Sequence, residues 1–179
     1  MIQKLRGLLT PKTFAHSLAV RDRARELAAD FGADPARAAL AGLLHDCAKN
    51  LPADAYLGEA AALGLEVYGA ERRSPKVLHQ RVGAAWAARD FGVDDESVCR
   101  AICCHTTGRH DMDALARCVF VADYTSADRD YPGVDRLRAA CDRGADDAFR
   151  SVLLFKRTYV RQAGLPEHPW AENAYRKYL

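Results

Sequence analysis

An all-α fold is predicted, and three observations predict it. Apolar residues recur at helical spacing along most of the chain, as in the row Val20, Ala24, Leu27 and Phe31. Helix punctuation is frequent. Asp34-Pro35, Asn50-Leu51-Pro52 and Ser74-Pro75 read as cap-and-proline starts, and Gly32, Gly64 and Gly92 as stops. Strand signals, by contrast, are nearly absent.

The elements follow in order. A first helix is expected from Lys12 to Phe31, ending at Gly32. A second opens at Asp34-Pro35 and continues to Lys49, and a third, rich in alanine, follows Asn50-Leu51-Pro52 and ends near Gly64. Residues 66–73 read as a loop or short turn in which Glu71, Arg72 and Arg73 form a solvated charge run. Ser74-Pro75 starts a helix that closes near Gly92, and Asp94 or Asp95 starts one ending in His105. A loop through 106–111 leads to a helix from Asp113 to Ser126, then to a turn at Asp130-Tyr131-Pro132-Gly133. Helices over 134–143 and 145–163 precede a tail containing Pro166, Pro169 and Trp170.

The 179 residues suit one domain, 1–179, with a core over about 12–128 and C-terminal helices and tail over about 134–179. Hydrophobic residues make up 49% and charged residues 28%, which excludes a disordered or fibrous chain. The formal net charge of +2 is too even to argue for a nucleic-acid partner. No stretch is apolar enough for a secretory signal or a membrane span, so a cytoplasmic protein without a membrane partner is expected. The six cysteines form no C-x-x-C pair and read as small buried hydrophobes.

Against this background stand six side chains able to bind metal. His16 lies in line with Val20, Ala24, Leu27 and Phe31. His45, with Asp46 beside it, follows Ala38, Ala41 and Gly42, small residues that let another helix come close. His79 shares a face with Val82, Gly83 and Trp86, His105 ends the row Val98, Ala101, Ile102, and Asp123 ends the row Met112, Ala116, Val119, Phe120. Burying these groups without partners forfeits their hydration, so several on inward faces call for separate hydrogen-bond partners or a shared metal. Six ligands of mixed imidazole and carboxylate type exceed what one tetrahedral zinc wants. They suit one octahedral ion or two ions sharing a carboxylate, for which Asp46 is the natural bridge. Two metals about 3.5 to 4 Å apart hold a bridging water, lower its pKa and stabilise the charge that develops on a phosphorus under attack.

The order His, His-Asp, His, His, Asp resembles that of HD-domain metal-dependent phosphohydrolases. The strings "KTFAHSLAV" at 12–20, "LLHDCAKNLP" at 43–52, "HTTGR" at 105–109, "VADY" at 121–124 and "YPGVDRLR" at 131–138 are similar to the bacterial YqeK-type symmetrical diadenosine tetraphosphate hydrolases over nearly the whole chain. The resemblance implies a helical bundle with the metal site at its centre. It also implies a hydrolase that cuts diadenosine tetraphosphate into two ADP by attack of a metal-bound hydroxide on phosphorus. The implied cofactors are two divalent transition-metal ions, iron foremost, with manganese, cobalt or zinc as alternatives. Carried onto this chain, His16, His45, Asp46 and Asp123 would hold one ion, and Asp46, His79 and His105 the other.

Lys49, one turn after His45, would join Asp46 as a catalytic group and bind phosphate together with Thr106, Thr107, Gly108 and Arg109. His110 and His168 are expected at the surface. The chain departs from the family where a basic residue commonly stands at Thr13, a glycine at Gln80 and an Ile-Glu-Pro run at Thr125, Ser126 and Ala127. None of these removes a ligand, but they touch the pocket lining. Alternative readings are an HD enzyme for another nucleotide, such as a nucleoside monophosphate or guanosine tetraphosphate, and a non-catalytic nucleotide-binding regulatory module. The partner expected is a dinucleoside polyphosphate or other nucleotide, with a homodimer left open.

Overall fold

Several helices begin where a side chain or a proline deals with the amide groups that have no partner in the first turn. The computed structural model describes residues 1–179, in eleven α-helices and no strand. After α1 (Ile2–Leu8), the long α2 (Pro11–Phe31) has proline in its first turn, and the Thr10 hydroxyl accepts from the Thr13 amide at 3.3 Å. It stops at Gly32, whose φ of 70° suits glycine. Asp34 caps α3 (Pro35–Leu44) by accepting from the Arg37 amide at 2.8 Å. Then come α4 (Ala55–Ala62), α5 (Gly69–Arg73), a 3₁₀ turn (Pro75–Leu78) and α6 (His79–Phe91). Asp95 caps α7 (Glu96–Cys104) and Asp113 caps α8 (Ala114–Thr125). The chain closes with α9 (Val134–Cys141), α10 (Ala145–Gln162) and α11 (Pro169–Tyr178).

The fold class is as expected; several element boundaries differ, each for a physical reason. The second helix ends at Leu44 instead of Lys49, and residues 45–50 run on in tight turns. Adjacent residues of a helix point about 100° apart, whereas this unwinding lets both His45 and Asp46 face one centre. Asn50 does not start a helix. Its side-chain oxygen accepts from the Thr10 amide at 2.8 Å and so ties the turn to the start of α2, while α4 begins only at Ala55.

The charge run at 71–73 is not simply solvated. It forms α5, and Glu71 is fully buried in an ion pair with Arg81 at 2.8 Å. The expected tail is the helix α11. His168, expected at the surface, is buried, and its Nδ1 caps α11 by accepting from the Trp170 amide at 3.1 Å, with Pro169 in the first turn.

The core is one large cluster running from Leu5 on α1 to Tyr175 on α11, with a small satellite around Tyr56, Leu78 and Val82. Within it α2 packs on α3 and α8, and α7 on α3, α6 and α8. Gly42 makes the α2–α3 contact possible, because a Cβ there would lie 2.9 Å from the Val20 carbonyl oxygen and 3.2 Å from the Ala24 Cβ. All six cysteines are free; burial pushes the Cys47 thiol up to about 12, so it is inert at neutral pH. No helix is long and apolar enough to cross a membrane.

Candidate metal centre

Three of the four candidate-ligand histidines sit at helix ends, and that placement orients them. The last carbonyls of a helix lack an amide partner. Here they are taken by imidazoles three residues on: His45 Nδ1 donates to the Gly42 carbonyl at 2.7 Å and His105 Nδ1 to that of Ile102 at 2.8 Å. His79 does the same to Lys76, at 2.5 Å, from the end of the 3₁₀ turn. On α2, His16 Nδ1 meets the Asp128 carboxylate at 2.8 Å. With a proton on each Nδ1, the four Nε2 atoms are left to face inward.

They face one another and two carboxylates. The rings are contiguous, with centroids 5.2 Å apart for His16 and His45, 4.9 Å for His45 and His105, and 5.0 Å for His79 and His105. Asp46 lies between two sets. Its Oδ2 is 3.4 Å from His45 Nε2, while its Oδ1 is 3.2 Å from His79 Nε2 and 3.4 Å from His105 Nε2. Asp123 closes the first set, with Oδ1 3.0 Å from His16 Nε2 and 3.7 Å from His45 Nε2.

Such an arrangement is poor as a purely protein structure. His79 Nε2 and His105 Nε2 approach to 3.1 Å although both Nδ1 atoms already hold the donor proton. His45 Nε2 and Asp46 Oδ1 are buried with no hydrogen-bond partner. Lone pairs converging in this way lack a cation, and His16, His45 and Asp123, like His45, Asp46 and His105, place one ligand atom each within 4.8 Å of one another. The residues therefore fit divalent metal.

The electrostatics agree. Burial opposes ionisation of Asp46, yet His45, Lys49 and His105 hold its carboxyl well below the usual range. Asp123 is likewise held down, against its burial, by Arg129 and His16. Burial, reinforced by Lys49, lowers His79 to about 4, and burial lowers His105. For His45 the neighbouring Asp46 and Asp123 outweigh burial and raise it. Two buried carboxylates thus stay ionised at the centre, Asp46 beside Lys49 and Asp123 beside Arg129, with their oxygens also facing the imidazoles.

Of the expected phosphate contacts, Lys49 and Thr106 lie at the centre. Lys49 Nζ is 3.4 Å from Asp46 Oδ1 and 3.1 Å from His79 Nε2, and Thr106 Oγ1 is 3.0 Å from both His79 Nε2 and His105 Nε2. The others make contacts within the protein. Thr107 donates its hydroxyl to Gln80 Oε1, and Gly108, with φ +71°, packs against Leu153, Ala174 and Met112. Arg109 pairs with Asp111 at 2.9 Å and lies over the Trp170 ring at 4.8 Å.

Two residues, Asp128 and Arg129, went unread in the sequence, and Gln80 was read only as a departure in the pocket lining. Asp128 orients His16. Arg129 donates Nε to the Asp123 carbonyl at 2.7 Å and Nη2 to the Asp123 carboxylate. Gln80 accepts from the amides of both Thr106 and Thr107 at 3.0 Å, which fixes the loop after His105. A signal did exist for the first two. Arg138, inside the "YPGVDRLR" string, donates to the carbonyls of Ser126 at 2.9 Å and Arg129 at 2.8 Å and so pins their loop.

A family model described as HD domain matches residues 13–128, more than half of the chain, so the class of protein is that of the HD domain. A crystal structure described as a predicted HD superfamily hydrolase involved in NAD metabolism, from Clostridium acetobutylicum, is 34% identical, with a TM-score of 0.93 over 99% of this chain and 94% of that one. A symmetrical bis(5'-nucleosyl)-tetraphosphatase of Halalkalibacterium halodurans is 31% identical, over 99% of this chain and 95% of its own. One of Bacillus subtilis is 32% identical over 90% and 86%. This chain belongs to the family of those symmetrical bis(5'-nucleosyl)-tetraphosphatases.

Proposed function

We propose that the chain hydrolyses diadenosine tetraphosphate symmetrically, adding one water across the bridge between its second and third phosphates to release two ADP. The observation that carries this is Asp46, which turns one oxygen to His45 Nε2 and the other to the Nε2 atoms of His79 and His105. His16, His45, Asp46 and Asp123 would hold one divalent transition-metal ion, and Asp46, His79 and His105 a second, with iron the first candidate. Bound there, the ions supply Lewis acidity toward phosphate and lower the pKa of water.

The chain's own residues do the remaining work. The Lys49 ammonium and the Arg129 guanidinium, each already against a centre carboxylate, are the cations within reach of phosphate oxygens. Thr106 offers a hydroxyl to the same oxygens. The leaving group is a nucleotide phosphate of low basicity, so positive charge near it suffices and no strong acid is required.

The test is product chromatography on protein loaded with iron, manganese or cobalt. ADP as the sole nucleotide product is expected. ATP with AMP would overturn symmetrical cleavage, and no turnover with any metal would favour a nucleotide-binding regulatory module.

A further inference from the structure

Between α10 and α11 lies a polar cavity of about 250 Å³ that shares no residue with the cavities around the metal centre. Helix α10 turns different faces to the two regions. Lys156 and Tyr159 line the cavity beside the centre, whereas Arg157 and Arg161 line this one. Glu172, Tyr175 and Arg176 reach it from α11, and Glu167 from the turn between the helices.

Three guanidinium groups stand here against two carboxylates, and the pairing leaves one of them over. Arg161 meets Glu167 at 2.8 Å, and Arg176 meets Glu172 at 3.8 Å. Arg157 makes no ion pair: its guanidinium lies over the Tyr175 ring at 5.3 Å, and its Nε is buried without an acceptor. The Tyr175 hydroxyl is in the same condition. Tyr175 is only 5% exposed, and its oxygen is buried with no hydrogen-bond partner. Burial pushes the phenol up to about 12, so at neutral pH it keeps its proton and can donate.

A buried donor without an acceptor forfeits its hydration, and two of them beside an unpaired positive charge call for an acceptor that is also an anion. The cavity is below the roughly 300 Å³ at which sites for larger organic ligands begin. Its one ring face is covered by Arg157, which leaves no platform for a nucleobase. A small tetrahedral oxyanion fits, because it offers oxygens to a guanidinium and a hydroxyl at once.

We propose that this cavity is a binding site for inorganic phosphate, held by Arg157 and the Tyr175 hydroxyl with Arg161 and Arg176 at its rim, and separate from the metal centre. The proposal does not depend on the reaction proposed above.

Calorimetry with inorganic phosphate on the full chain, metal-loaded and metal-stripped, is the test. Binding is expected in both forms, since no residue of the site touches the centre. In the metal-stripped form Arg157→Gln should weaken it at least about tenfold, the scale of a lost charged hydrogen bond. Tyr175→Phe keeps the ring under Arg157 and removes only the hydroxyl, so a loss of about fivefold is expected. Glu167→Gln removes a competing carboxylate and should tighten binding about threefold, a gain that a merely damaged fold would not give. Absence of binding in the metal-stripped wild type would overturn the proposal, because the two donors would then be served by water or the phosphate held only at the centre. So would equal affinity in wild type, Arg157→Gln and Tyr175→Phe, or weaker binding in Glu167→Gln.

Discussion

Asp46 is the residue on which most of the site depends, because one of its oxygens faces His45 and the other faces both His79 and His105. Asp46→Ala should abolish binding at both ions together, measured as metal per chain, and lower kcat by about a thousandfold or more, as when a group stabilising transition-state charge is removed. His110→Ala should stay within about twofold of wild type: this side chain is exposed and its backbone carbonyl, not its imidazole, accepts from Tyr178.

At this scale the residue types were legible and their geometry was not. Apolar rows marked His16, His79, His105 and Asp123 as inward-facing, and the structure does bury all six side chains around one centre. Asp128 and Arg129 went unread although the string that holds Arg138 was visible, because their role comes from the loop that Arg138 folds back onto α8. Arg109 was legible only as a cation beside His105. That its guanidinium lies on Trp170, 61 positions further along, depends on where α11 returns.

The helix ends are the working parts at the level of elements. Gly42 serves twice, admitting α2 on one side and offering its carbonyl to His45 on the other. Gly42→Ala forces a Cβ toward the Val20 carbonyl and should destabilise the protein by about 1–3 kcal/mol, the usual cost of overpacking. Impaired metal binding should accompany the lower melting temperature. Gln80→Ala leaves the buried Thr107 amide and its neighbour without acceptors and should cost about 2 kcal/mol. A thermal melt reads the loss.

The buried pair of α5 and α6 adds a pH signature. Burial opposes ionisation of Glu71, but His168, the Tyr68 amide and Arg81 together hold its carboxyl below the usual range. Its contribution is therefore complete above the unfolded glutamate pKa of about 4.3 and is lost as pH falls through the lower folded value. Glu71→Gln should cost about 3 kcal/mol at neutral pH. The gap between wild type and variant in urea melts should narrow only below about pH 4. The sequence concealed this pair because Glu71-Arg72-Arg73 looks the same whether solvated or folded onto a helix ten residues later.

Over the whole molecule, the all-α class was legible because the apolar rows and the proline starts act locally. The last helix was not: Pro166 and Pro169 read as a broken tail, although proline in a first turn also begins a helix, and His168 completes the cap. That helix carries Trp170, between Arg81 and Arg109, so the C-terminal segment braces both the α6 helix that begins at His79 and the loop that follows His105. The whole fold thus brings six side chains able to bind metal, from positions 16 to 123, to one point. Anomalous scattering from crystals grown with iron or manganese tests that claim most directly. Two peaks per chain are predicted, one enclosed by His16, His45, Asp46 and Asp123 and the other by Asp46, His79 and His105. A single peak, or peaks that leave Asp46 unligated, would contradict it.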